Sequence, residues 1–222
     1  MSEWWTYRPS DFLLFAPRTY YRLSESYNLE LWPAQLVALG GALLLVALAW
    51  RGWARAGRFA ALTLAFAWAF VAWRFHWTHY ATINWAAVHF AVAFGAQALL
   101  LLGAAFLGGL RYDRRPPAAR RYAGLALVVV ALALQPLAAL MLGRPPTQLE
   151  AAGLFPDPTA LVTLGLLLMA GRAHWSLFPV PVLWCLVSAA TLWTMNAADA
   201  PVLVVGALIA VAAASLPSRR SA

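Results

Sequence analysis

The chain has 222 residues, 63% of them hydrophobic and 11% charged, with a mean hydropathy of +0.70. A soluble domain of this size cannot hide so much apolar surface, and about a quarter of its residues would ordinarily be charged. The net charge of +8 excludes a nucleic-acid reading by its distribution: all sixteen cations are arginines, most in short loops between apolar runs, where membrane topology accounts for them.

The first thirty residues lack the basic start, unbroken apolar core and small-residue cleavage site of a signal peptide. Aromatic residues mixed with charges, and Pro9 and Pro17, predict an amphipathic segment over 1–30 that lies in a membrane interface. Ser10 is placed to cap "DFLLFA", and Pro17 to open a second short helix at its first position.

Apolar segments then follow at Leu31–Trp50, Phe59–Phe75, Ala86–Leu107, Tyr122–Leu142, Thr159–Gly171, Leu177–Met195 and Pro201–Leu216. The expectation is an all-α polytopic transmembrane helix bundle of about seven spans over 31–216, with a cytoplasmic tail at 217–222. A span needs about 20 residues, so the fifth and seventh segments are short or tilted, and a re-entrant pair is the alternative. "RYDRRPPAAR" and "GRPPTQLEAAGLFPDP" are too polar and proline-broken to span.

Seven spans with the N-terminus outside put eleven arginines in cytoplasmic loops and the tail: Arg51, Arg55, Arg58, Arg111, Arg114, Arg115, Arg120, Arg121, Arg172, Arg219 and Arg220. Arg8, Arg18, Arg22, Arg74 and Arg144 fall outside, with every acid except Asp113. That bias predicts a multi-pass inner-membrane protein with a cytoplasmic C-terminus.

Intramembrane polar residues cluster toward the outer ends of the spans. Gln35, Arg74, His76, Asn84, His89, Gln135, Thr163 and Ser188 fall there, while Gln97 lies near mid-depth. Such groups are costly in hydrocarbon and normally face partners or water. The expectation is an outward-facing polar pocket above an apolar floor, with Arg74, His76, His79, Asn84, His89, Gln97 and Gln135 as candidate ligand-binding residues.

In "WRFHWTHYATINWAAVHF", helical spacing puts His76, His79 and Tyr80 on one face. A pair of imidazoles at this spacing can bind a divalent metal if Glu150, Asp157 or Asp199 approaches from another loop. The competing reading is an aromatic belt with wet histidines. Arg74 either pairs with Asp157 or Asp199 or anchors an anionic head group. For His89 and Gln97, an interhelical hydrogen bond competes with pocket lining.

Other chemistries have no support. Without lysine there is no Schiff base, and with Cys185 alone there is no intramolecular disulfide or cysteine metal cluster. Metalloprotease, P-loop, nucleophile-elbow and paired-carboxylate patterns are missing. No cofactor is expected beyond a possible divalent metal at His76 and His79.

"SEWWTYRPSDFLLFAPRTYYRLSESYNLELWPAQ", "FHWTHYATINWAA", "DPTALVTLGLLL" and "LWCLVSAATLW" resemble an uncharacterised bacterial integral-membrane family, domain of unknown function 6064. The resemblance covers nearly the whole chain and implies a small polytopic bacterial membrane protein, with no catalytic residue to carry over. The leading functional expectation is a permease-like protein that binds a small molecule or ion from outside, with the lipid bilayer around it. A membrane-embedded enzyme on a lipid-linked substrate is one alternative. The other is an accessory subunit of a larger membrane complex, and a homo-oligomer fits either reading.

Overall fold

The structure is a computed structural model that describes residues 15–113 and 116–216. The Ser10-capped helix, Arg8, Arg114, Arg115 and the tail at 217–222 lie outside the described residues. Among those described, eight helices follow one another: α1 (Pro17–Leu31), α2 (Ala34–Arg51), α3 (Ala56–Thr82), α4 (Ala87–Phe106), α5 (Ala118–Met141), α6 (Pro156–Met169), α7 (Pro179–Thr194) and α8 (Ala200–Ala214). The protein is all-α, as composition and segment length predict.

Helix boundaries follow local chemistry. Pro17 opens α1, where a missing N–H costs nothing. Gly52 ends α2 at φ 73°, and the next amide, Trp53, donates back to the Leu48 carbonyl at 3.2 Å. That pairing satisfies a carbonyl at the helix end and requires the left-handed backbone that glycine adopts freely.

Two helices change winding partway. α3 is α-helical to Phe70, a π-helix over Val71–His79, and a short 3₁₀ turn over Tyr80–Thr82. α5 is α-helical to Val129, π over Val130–Leu134, and α again from Gln135. Pro136 explains the second break, since it lacks an amide and its ring would clash with the Leu132 carbonyl in a regular α-turn.

α6 is the central post. All of its residues from Pro156 to Met169 are buried, and α2, α3, α5, α7 and α8 pack around it. A helix apolar on every side has no face to leave exposed. α5 approaches it through glycines: a Cβ on Gly165 would fall 2.6 Å from the Gly124 carbonyl oxygen, and one on Gly124 would fall 2.5 Å from that of Gly165. Small residues at such crossings let two backbones meet. At mid-length Trp68 Nε1 donates to Thr163 Oγ1 at 2.8 Å.

The far end of α6 is capped by side chains. Buried Arg120 donates through Nε to the Leu168 carbonyl at 3.1 Å and through Nη2 to that of Ala170. Tyr112 Oη donates to the Leu166 carbonyl at 3.1 Å. These groups satisfy orphan carbonyls, and the guanidinium suits the negative pole of the helix.

Long-range bonds sort the loops into two ends. Arg121 on the Trp50 carbonyl and the Gly171 amide on that of Arg111 gather the arginine end. At the acidic end α1 lies across the bundle: Asn28 Nδ2 donates to the Thr147 and Leu149 carbonyls, both at 2.8 Å, and Tyr27 Oη to that of Leu154 at 3.1 Å.

Among the described residues, five helical stretches are long and apolar enough to cross a membrane by length and composition: α2, α3, α4, α5 and Trp175–Thr194, which contains α7. Their outward faces expose Val37, Phe66, Val92, Leu99 and Leu183, consistent with a membrane protein. α6 and α8, with 14 and 15 residues, fall short of the ~17 to 25 of an ordinary crossing.

Candidate functional site

The N-terminus of α6 brings acidic groups together. Pro156 and Pro158 occupy its first turn, where their missing amides leave no gap in the helical ladder. Asp157 between them carries a charge that suits the positive pole of the helix. Its side chain is buried, and α7 supplies donors to both oxygens: Trp184 Nε1–H to Oδ1 at 2.7 Å and Ser188 Oγ–H to Oδ2 at 2.8 Å. Trp184 and Ser188 are four apart, so one face of α7 presents both.

Glu150 arrives from the loop before α6, and Tyr20 Oη–H of α1 donates to its Oε1 at 2.9 Å. Burial, and then the charge of Asp157, holds the Glu150 carboxyl well above the usual carboxylate range. Burial also pushes the Tyr20 phenol up, so it stays a hydrogen-bond donor. Asp199, at the start of α8, accepts from Arg144 Nη2 at 3.1 Å through Oδ2. Arg144 also donates to Tyr21 Oη at 2.9 Å and lies 4.6 Å over the Tyr21 ring.

Gln135, Pro136, Arg144, Glu150, Asp157 and Asp199, among others, line one cavity of about 20 Å³. That is about the space one water needs. Three acidic residues line it against a single guanidinium, with Glu150 held toward its protonated form. Gln135 Oε1 and Asp199 Oδ1 are buried there without a hydrogen-bond partner, so the cavity calls for a donor, preferably a cationic one.

A second cavity of about 20 Å³ lies beyond Trp184 and Ser188, walled by Tyr20, Phe75, Tyr80, Phe90 and Thr191. Tyr20 and Ser188 touch both sides: each lines the aromatic cavity and bonds a carboxylate of the acidic one.

The seven residues singled out in the sequence do not share a chamber. Gln135 lines the acidic cavity. His76 lies behind Trp184, ring centroids 4.9 Å apart, boxed in by Phe90, Phe94 and Tyr80 with neither nitrogen partnered. His79 faces elsewhere: Nδ1–H donates to the Arg74 carbonyl at 2.7 Å and Nε2 meets Glu30 Oε2 at 2.9 Å. Wider π turns take residues three apart off a shared face, so the predicted His76–His79 face does not form. Among the described residues no three His, Cys, Asp or Glu side chains come together as a metal-binding group.

Arg74 pairs with Glu30 on α1 rather than with Asp157 or Asp199. The His79 hydrogen bond, then Arg74, holds the Glu30 carboxyl below its ordinary value. Asn84 Oδ1 accepts the Ala86 amide of its own loop at 3.0 Å. His89 is exposed against Trp85. Gln97 Nε2 donates to the Leu177 carbonyl at 3.1 Å, away from the acidic cavity. Gln35 bonds Asn28, and Thr163 bonds the Thr159 carbonyl at 2.7 Å.

From sequence, Glu150, Asp157 and Asp199 enter as helpers of a histidine site, and Asp157 and Asp199 also as partners of Arg74. The signal they share is positional: Asp157 and Asp199 lie at the start of apolar helices, and Glu150 lies in the loop that leads into one of them. A family model described as a family of unknown function (DUF6064) matches residues 18–221. No curated protein and no solved structure matches the chain.

Proposed function

The chain belongs to this family of unknown function, and from the acidic cavity we propose that it is a permease-like membrane protein that binds a small cationic solute. The observation that carries this reading is the convergence of Glu150, Asp157 and Asp199 on one small cavity with Arg144 as the lone cation in its lining. Carboxylates set among apolar helices commonly mark ion and proton paths. A cation is the species such a lining stabilises.

The helices beside the cavity support movement. The π segments of α3 and α5 carry Phe75 of the aromatic cavity and end immediately before Gln135 and Pro136 of the acidic one. Broken helices at a site are a recurrent device of carriers, and π segments recur at functional sites.

In this reading all seven apolar helices cross a bacterial inner membrane, and the acidic end faces outward. The arginine end, with Arg51, Arg55, Arg58, Arg111 and Arg172, faces the cytoplasm. α6 is buried along its whole length and crosses without meeting lipid, so its 14 residues suffice beside the longer α2, α3 and α5.

The test is uptake of labelled ethylammonium by proteoliposomes. Saturable uptake that Asp199→Asn reduces by roughly tenfold or more is the expected result. Uptake no faster than in protein-free vesicles would remove the carrier reading.

A further inference from the structure

An apolar groove of about 430 Å³ runs between α5 and α8, within the ~300 to 1,000 Å³ typical of small-molecule sites. Leu127, Val130, Leu134, Val202, Val205 and Ile209 line it, with no charge along its length until its upper end. There it meets Gln135, Arg144 and Asp199, which also line the acidic cavity. A chain lying in the groove would thus bring its head to the carboxylates.

We propose that this groove seats an acyl chain of an aminophospholipid, with its ammonium in the acidic cavity and its phosphate at Arg144. The inference rests on the reading of that cavity as a cation site and names its ligand class. Charge and hydrogen bonding decide the head. Asp157 and Asp199 against one guanidinium favour a cation, and the unpartnered Gln135 Oε1 and Asp199 Oδ1 require hydrogen-bond donors. A primary ammonium offers three N–H donors in about the volume of a water. Arg144, 3.1 Å from Asp199 at the mouth, supplies the fork that phosphate oxygens match. Positive and negative protein groups side by side suit a zwitterion of opposite order.

Related head groups fail on stated grounds. A trimethylammonium has no N–H to give the unpartnered Gln135 Oε1 and Asp199 Oδ1. A glycerol head leaves only negative charge to meet Asp157 and Asp199. The source is the bilayer itself, because the groove opens along exposed apolar side chains such as Val205 and Leu134.

The experiment is native mass spectrometry of the full-length protein in detergent, titrated with phosphatidylethanolamine, phosphatidylcholine and phosphatidylglycerol of identical chains. Phosphatidylethanolamine should bind about tenfold more tightly than the other two, and Asp199→Asn should erase the preference. Val205→Trp, or independently Ile209→Trp, fills the groove and should weaken phosphatidylethanolamine about tenfold. Leu36→Trp, in the separate groove between α2 and α5, should leave it unchanged. Equal binding of the three heads, or indifference to both groove variants in monodisperse protein, overturns the proposal. Ethylammonium binding in the same samples separates the two readings. If Asp199→Asn abolishes it while no lipid is preferred, the lipid assignment falls and the cation site stands; if ethylammonium and lipid both fail to bind, both fall.

Discussion

Asp157 and Glu150 illustrate two ways to keep a carboxylate inside a bundle. Asp157 has a donor on each oxygen and a helix N-terminus behind it, which offset part of the cost of burying its charge. Glu150 has the Tyr20 hydroxyl but also burial and the charge of Asp157 against it, and its folded-state pKa is raised. A raised carboxyl favours the folded state while protonated. That contribution is fully present below the ordinary value of 4.5 and is lost as pH rises through the higher folded value. Stability of the purified protein should therefore decline across that window, and Glu150→Gln, which still accepts from Tyr20, should flatten the decline. Thermal unfolding in detergent at stepped pH reads this directly. A parallel slope in the variant would assign the pH dependence to another group. At this scale the sequence was partly legible. Gln135 could be picked out because a polar residue before a proline in an apolar run is conspicuous. The Trp184 and Ser188 bonds to Asp157 could not, because such pairs depend on how distant helices pack, and nothing local encodes them.

The apolar segments translate almost directly into helices: Ala86–Leu107 becomes Ala87–Phe106, and Tyr122–Leu142 becomes Ala118–Met141. Continuous hydropathy bounded by polar, proline-rich loops suffices for that. The winding within them was hidden: Val71–His79 reads as an ordinary helix end, yet its π turns separate His76 from His79 and undo the expected shared face. The central position of α6 was hidden as well. A run apolar on every side has no stripe from which a packing direction can be read. Arg120 looked like one more topology-setting cation, whereas it is buried and holds the carbonyls of Leu168 and Ala170. Arg120→Met should leave those acceptors bare at ~1 to 3 kcal/mol each and lower the unfolding temperature markedly. Gly165→Val should also destabilise, since even a Cβ there lies 2.7 Å from Val128 Cγ2. Parent-like unfolding of both variants would mean that α6 is not the post around which the bundle packs.

Across the described residues, every acid but Asp113 lies at one end of the bundle, together with Arg74 and Arg144. The acidic end holds Glu25, Glu30, Glu150, Asp157 and Asp199, tied to α1 and the loop before α6 through Tyr20, Asn28 and Arg144. The arginine end carries the guanidiniums of the connecting loops. With seven crossings, a cytoplasm-only reporter fused to the C-terminus should be active and a periplasm-only reporter silent; the reverse would remove one crossing, with α6 the first candidate. The central claim is that the acidic cavity is a cation site reached from outside. Its most direct measurement uses Gln135→Cys in a Cys185→Ala background, which removes the chain's one native cysteine. The single thiol then lines the cavity. A membrane-impermeant, positively charged thiol reagent added outside intact cells should modify it, and saturating ethylammonium should slow that modification by roughly tenfold. Modification from the cytoplasmic side alone, or an unchanged rate in the presence of ethylammonium, would contradict the account.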